Sequence, residues 1–273
     1  MKYWIACFLL AISQVHGVVI ETTHFREITS YPQKDTLVLL DIDDTLLLPT
    51  QTLGSDTWFL YRVKQNQIAG VATSDAFEKS LAEWEAIRQL TKMEIVEPGT
   101  DKIVHLLQDQ AQNQKFYVMG LTTQGLALAT RTSQQLKENG FDLSLTAPSR
   151  EDQYLLINGR GVLYRNGILF TSGASKGESL FALCKKIGYS PQRIVFINDK
   201  ETHLKDVESA AESRGIECIG LRYAFADGRK KAFDPHLADY QFTHSTLHHL
   251  LSDEEAKILM QAEAVAAKLK TLE

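Results

Sequence analysis

Two aspartates, Asp41 and Asp43, stand one residue apart directly after the apolar run Leu37-Val38-Leu39-Leu40. The run reads as a buried strand of a parallel sheet, because such strands are covered on both faces and show no polar alternation. Ligands of open α/β sheets bind just outside the carboxyl ends of the strands. The spacing therefore puts both acids where chemistry is expected. Two carboxylates on a turn leaving a strand can hold a divalent cation and divide the work of nucleophile and proton donor. The plain alternative is a solvated turn. A calcium loop is excluded, since it needs Gly at the sixth place and Glu at the twelfth; counted from Asp41, those places hold Leu46 and Thr52.

The elements that must position these acids are legible as alternating segments. Core strands are predicted over about 36–41, 115–121, 193–198 and 216–221, each short and apolar, with helical stretches between them. That alternation predicts an α/β fold, a parallel sheet with helices on both faces. The stretch between the first two strands is too long for a simple crossover. Within it, Phe77, Leu81, Trp84 and Ile87 have the spacing of an amphipathic helix over 75–91, with Ser74 as N-cap; a shorter helix is predicted over 56–65. Trp58 and Phe59 either line a pocket or form the core of this inserted unit.

Pro98-Gly99 breaks the chain before a helix over 101–112, with Ile103, Leu106 and Leu107 facing inward. A further helix runs from Leu126 to Asn139, with Gly140 ending it. The pairs Asn158-Gly159 and Asn166-Gly167 lie between apolar runs and predict tight hairpins in a small β insertion over about 150–172. The tail, 253–272, reads as an amphipathic helix.

The 273 residues are 44% hydrophobic and 23% charged with a net charge of −5, as in ordinary soluble domains. No basic excess argues for nucleic acid as a partner. Lys2, the apolar run Tyr3 to Ile12 and the close of the segment at Val15-His16-Gly17 read as a secretory signal peptide over 1–17, leaving 18–273 as one domain. The run is too short to span a bilayer, so no stable membrane insertion is expected after cleavage and the mature chain is placed in the periplasm or outside the cell. A buried first helix or an uncleaved anchor is the alternative. Cys184 and Cys218 then remain; an oxidising compartment permits a disulfide, but two buried free thiols are the preferred reading.

Four motifs occur in a fixed order: Asp41-x-Asp43-x-Thr45 after its strand, Tyr117 to Thr122 as an apolar strand ending in Thr, Lys176-Gly177 opening a helix, and Ile194 to Asp199. Together they resemble the haloacid-dehalogenase (HAD) superfamily, and in particular its phosphatase-like members and a poorly characterised secreted bacterial branch. Taken singly, Thr122 is an ordinary strand-end hydroxyl, Lys176 a solvated first-turn lysine and Asp199 a helix cap; their shared order gives them weight.

The resemblance implies a Rossmann-like HAD core with a parallel sheet, a helical cap over about 48–95 and a small β-hairpin insertion. It also implies a Mg²⁺-dependent phosphatase that hydrolyses a small-molecule phosphate ester through an aspartyl-phosphate. Asp41 would be the nucleophile and Asp43 the proton donor. Thr122, Thr123 and Lys176 would bind the phosphate, with Thr122 and Lys176 counted in the catalytic set. Asp41, Asp199 and the backbone carbonyl of Asp43 would hold the metal. The protein partner is unknown; the tail helix over 253–272 is read as packing or a solvated face, with a partner-binding helix as the alternative.

The chain departs from the pattern at two places. His203 stands where the fourth motif commonly carries a second acid or amide, and histidine suits softer metals than magnesium. It either contacts substrate or shapes the site, and Asp206 is the candidate to replace it. Gln124 occupies a place where some relatives have a basic residue. The same residues also serve a phosphotransferase or phosphomutase, or a catalytically vestigial HAD-fold binding or effector protein.

Overall fold

The computed structural model of the chain describes residues 17–270; apart from Gly17, the expected signal segment lies outside the described residues. From the N-terminus the elements are β1 (Val18–Thr22), β2 (Thr36–Leu40), β3 (Leu47–Pro49), α1 (Asp56–Ile68), α2 (Thr73–Leu90), β4 (Met93–Ile95) and α3 (Thr100–Gln114). There follow β5 (Tyr117–Thr122), α4 (Ala129–Glu138), β6 (Gln153–Ile157), β7 (Arg160–Arg165), β8 (Ile168–Phe170) and α5 (Lys176–Ile187). The last third holds β9 (Arg193–Asn198), α6 (Glu201–Glu212), β10 (Glu217–Tyr223), α7 (Asp227–Lys231), α8 (Pro235–His244) and α9 (Asp253–Lys270).

The main sheet has the order β1-β10-β9-β2-β5-β8-β7-β6. Neighbours from β1 through β8 run parallel, and only the hairpin partners β7 and β6 are antiparallel. The α/β expectation holds, and β2 shows why its run is apolar throughout. Val38 and Leu40 join one buried cluster with Ile103, Val104 and Leu107 of α3. Leu37 and Leu39 join the opposite cluster with Leu180 and Leu183 of α5 and Leu204 and Val207 of α6. Both faces are covered, so alternation has no place in the strand.

The turn chemistry of the hairpins is as read. Asn158 and Gly159 have φ of 49° and 80°, and Asn166 and Gly167 have 51° and 75°, the left-handed pair that a two-residue hairpin demands. The strands they join are not a separate layer, however. β8 pairs with β5, so the expected insertion extends the main sheet itself.

The stretch between β2 and α3 carries an element absent from the sequence reading. β3 and β4 pair antiparallel, Leu47 with Ile95 and Pro49 with Met93, as a separate two-stranded sheet that brackets α1 and α2 in the sequence. Trp58 and Trp84 form a small core of this unit with Leu53, and Phe233 and Phe242 from the C-terminal region pack against it. Trp58 is fully buried there, which decides in favour of core for that residue. α1 is capped by Ser55, whose hydroxyl accepts from Trp58 N at 3.1 Å. α2 begins earlier than expected. Ala72 holds its N-cap place without a side-chain bond, while Ser74 turns its hydroxyl to Asp75 Oδ1 at 3.1 Å.

In α3, Ile103 and Leu107 are buried as expected but Leu106 is 38% exposed, since the inward stripe runs through Ile103, Val104, Leu107 and Ala111. Cys184 and Cys218 are free and buried. Among the described residues no helix is long and apolar enough to cross a membrane.

Candidate active site

Asp41 follows β2 at its carboxyl end, and its N–H still donates to Ile197 O of β9 at 3.1 Å, so the ladder fixes the start of the turn. Asp44 takes the left-handed conformation, φ 57°, which a short polar side chain tolerates. The chain then folds back, and Asp44 N donates to Leu47 O at 2.9 Å. Thr45 Oγ1 lies 3.3 Å from Asp41 Oδ2.

Lys176 comes from 135 positions further along and reaches Asp41 Oδ1 at 2.6 Å. Its ammonium also donates to Leu121 O at 3.0 Å, and the residue is 1% exposed. A cation this buried at a helix N-terminus, where the dipole disfavours it, needs such partners. The start of α5 is itself held. Ser175 Oγ accepts from Glu178 N at 3.0 Å and donates to Asp206 Oδ1 at 2.7 Å, and Gly177 N donates to Asp206 Oδ2 at 3.2 Å. Asp206 therefore anchors the helix that presents Lys176, and both its oxygens are spent on that task. A Cβ at Gly177 would lie 2.6 Å from both Asp206 O and Ala210 Cβ, so the close approach of α5 to α6 requires glycine.

Asp43 meets the helical unit. Arg88 Nη2 of α2 donates to Asp43 Oδ1 at 2.6 Å, and Gln124 Nε2 donates to Oδ2 at 2.8 Å. Gln124 is oriented in turn by Thr132, which donates to its Oε1 at 2.5 Å. Thr122 is buried and its Oγ1 accepts from Gln124 N at 3.1 Å; Thr123 O accepts from Gly173 N at 3.0 Å, tying this loop to the one after β8.

Asp199 follows β9 and pairs with Lys230 Nζ of α7, which also lies 3.5 Å from Asp44 Oδ2. The next residue, Lys200, reaches Asp56 Oδ2 of α1 at 2.6 Å. His203 Nδ1 is 3.5 Å from Asn198 Nδ2. Burial, with Lys176 and Lys200 nearby, pushes its imidazole down to about 3, so the ring is neutral at ordinary pH.

Burial dominates the electrostatics of these acids. Burial pushes the Asp41 carboxyl up to about 7; Lys176 opposes the shift, while Asp199 and Asp43 add to it. Asp44 is pushed up to about 7, first by burial and next by Asp56, against Lys230. Asp56 behaves oppositely: burial pushes it up, yet Lys200, by charge and hydrogen bond, holds it below the usual range.

The residues fit a divalent cation by their chemistry. Asp41 and Asp199 are hard oxygen donors at adjacent strand ends, close enough for the Asp199 charge to raise Asp41, in a pocket that one more cation would relieve. Lys230 now holds Asp199 and would have to yield it. Among the described residues no three acidic, histidine or cysteine side chains are gathered as a ready metal cage.

Of the residues singled out from sequence, Asp41 and Lys176 touch, Asp199 lies within electrostatic reach of Asp41, and Asp43 turns toward Gln124 and Arg88. Arg88, Lys200 and Lys230 were missed. Arg88 alone left a sequence signal: it lies four residues after Trp84, as a charge on an otherwise buried helical stripe.

Fold and site define an α/β protein with a buried acid–lysine centre at the carboxyl edge of a mainly parallel sheet, covered by a helical pair. The chain belongs to the family described as "Protein of unknown function (DUF2608)", whose model matches residues 21–257. It is 23% identical over 266 residues to a Chlamydia pneumoniae protein named "Putative outer membrane protein", covering 94% of each chain. A Chlamydia muridarum protein of the same name is 23% identical, covering 96% of this chain and 98% of that one. Among solved structures, "Phospho-Aspartyl Intermediate Analogue of Phosphoserine phosphatase" is similar with a TM-score of 0.30 and 12% identity, covering 74% of this chain and all of that one. A β-phosphoglucomutase from Thermotoga maritima, itself labelled "putative", has a TM-score of 0.36 and 12% identity, covering 72% and 98%. At that level of likeness the family is the identification.

Proposed function

We propose that the protein is a HAD-type, Mg²⁺-dependent phosphatase acting on a phosphate monoester. The observation that carries this is the Lys176–Asp41 contact of 2.6 Å at a strand end, with Asp199 beside it. A nucleophilic carboxylate needs a fixed cation to receive a phosphate dianion without repulsion, and Lys176 is that cation.

Asp41 attacks phosphorus; the new bond is O–P, and the ester P–O bond breaks opposite to it. Asp43, entering as the carboxylic acid, gives its proton to the leaving alkoxide and then takes one from the water that attacks the aspartyl-phosphate, which releases inorganic phosphate and returns Asp41 as the carboxylate and Asp43 as the acid. Asp43 is now held as an acceptor on both oxygens, so this duty requires the Arg88 contact to loosen. Asp41, Asp199 and the Asp43 carbonyl would hold the magnesium, which supplies charge neutralisation to the phosphoryl oxygens. Thr122, the last residue of β5, and the backbone N–H of Thr123 would donate hydrogen bonds to the phosphoryl oxygens. A phosphotransferase or phosphomutase would use the same first half-reaction.

We place the protein in the periplasm or outside the cell. The signal-like residues 1–17 and the names of the chlamydial relatives both support export.

One observation favours a second reading, a binding protein with vestigial chemistry. Asp41, Asp43, Asp56 and Asp199 each have a basic partner, so the acids are also explicable as a set of ion pairs. Phosphate release from a panel of monoesters, with and without Mg²⁺, separates the two. The phosphatase reading expects Mg²⁺-dependent turnover that Asp41→Asn abolishes with the fold retained; turnover unchanged in that variant refutes the nucleophile.

A further inference from the structure

A cavity of about 570 Å³ opens beside the site, and its floor includes Asp43, Thr123, Lys200 and Asp56. Its walls are of another character. Phe59, Phe77, Leu81 and Trp84 come from α1 and α2, and Leu126 and Tyr154 face them from the core. Several of these apolar groups are open to solvent: Phe77 is 38% exposed, Leu126 38% and Tyr154 62%. Large apolar side chains gathered on both sides of one cleft mark a binding surface, because a folded chain otherwise covers them. A volume of this size takes a molecule well beyond a bare phosphate and three carbons. Glu78, Glu85, Arg160 and Ser172 also line the cavity, but aromatic rings and aliphatic chains make up the larger part of its exposed wall.

We infer that the substrate is a phosphate monoester of a bulky apolar or aryl-bearing alcohol, with the phosphate at the Asp43 end and the apolar body between Phe77 and Tyr154. The inference rests on the proposed phosphatase reading for the reacting end of the molecule; the walls are an independent observation.

The test uses two non-hydrolysable ligands, 3-phenylpropylphosphonate and propylphosphonate, titrated calorimetrically into the mature protein with Mg²⁺ present. Their phosphonate ends are alike, so the difference in affinity reports the cavity. Burial of one phenyl group should favour the first by about tenfold or more. Phe77→Ala and Tyr154→Ala, both at solvent-open places, should each shrink that ratio. Equal affinities, no binding of either ligand, or a preference untouched by both substitutions overturns the inference. Turnover of the two corresponding phosphate esters, whose alcohols are equally poor leaving groups, is measured in parallel. A binding preference without turnover sustains the apolar ligand class and defeats the phosphatase reading; turnover of both esters without preference does the reverse.

Discussion

Arg88 Nη2 sits 2.6 Å from Asp43 Oδ1, joining α2 of the covering helical pair to the second acid of the turn after β2. Arg88 is 2% exposed, its guanidinium lies 4.8 Å from the Trp84 ring centre, and its Nε finds no hydrogen-bond partner. The helical pair is thus tied to the chemistry and not merely laid over it. Lys200 and Asp56 make the reciprocal tie, with the cation on the core and the acid on α1.

Breaking the first tie from one side leaves a buried charge alone. Arg88→Met should therefore cost about 3–5 kcal/mol, and adding Asp43→Leu should restore part of the loss. Urea midpoints of the two single variants and the double variant measure this. Strict additivity of the two losses would show that the pair is not coupled.

Gly177→Ala tests the placement of Lys176. The new methyl group meets backbone, not a flexible side-chain tip, so α5 must shift away from α6. A stability loss of about 1–3 kcal/mol is expected, and phosphate release should fall by more than the unfolded fraction accounts for. Wild-type turnover in a folded Gly177→Ala protein would mean that Lys176 tolerates displacement.

Two hairpin glycines should respond unequally. Gly159 and Gly167 both have positive φ, so alanine at either carries about 1–2 kcal/mol of strain. At Gly159 the methyl group meets nothing within 4 Å, whereas at Gly167 it would fall 2.1 Å from Leu143 O. Thermal unfolding should rank Gly167→Ala well below Gly159→Ala; equal losses would contradict the packing of that turn against the core.

The thiols give a pH dependence with a definite sign. Burial pushes Cys184 and Cys218 from the ordinary 9.0 up to about 12 in the folded chain. The folded state keeps protons that the unfolded state releases, so this contribution is fully present below pH 9.0 and is lost as pH climbs toward 12. A coloured disulfide reagent at pH 8 should therefore label neither cysteine until denaturant is added, and then both. Rapid labelling of the native protein would show that these thiols are open.

The core strands were legible because both faces of the sheet are covered, which writes each strand as an unbroken apolar run. The hairpins were legible because their turns require Asn-Gly. β3 and β4 were not, since three residues carry no period and their pairing is set by the helices they enclose. At the site, Asp41, Asp43, Lys176 and Asp199 could be named because each adjoins an element end with its own pattern. Lys230 could not: Arg229-Lys230-Lys231 looks like a solvated basic helix end, and only the return of the chain after β10 brings its ammonium to Asp199. Asp206 misled for a related reason. It is the next acid after His203, the place of the fourth motif's second acid, but the near approach of α5 turns both its oxygens to that helix.

β1 pairs with β10 in register from Val18 opposite Ile219 to Thr22 opposite Tyr223. The first strand of the main sheet thus waits for the last one. A chain made N-terminus first holds Val18-Val19-Ile20 as an unmatched β-prone segment until β10 has emerged, exposed to mispairing with other copies. Completion of the sheet therefore depends on delivery of its far end, and a chain cut short before Glu217 would leave both β1 and β9 with a bare edge.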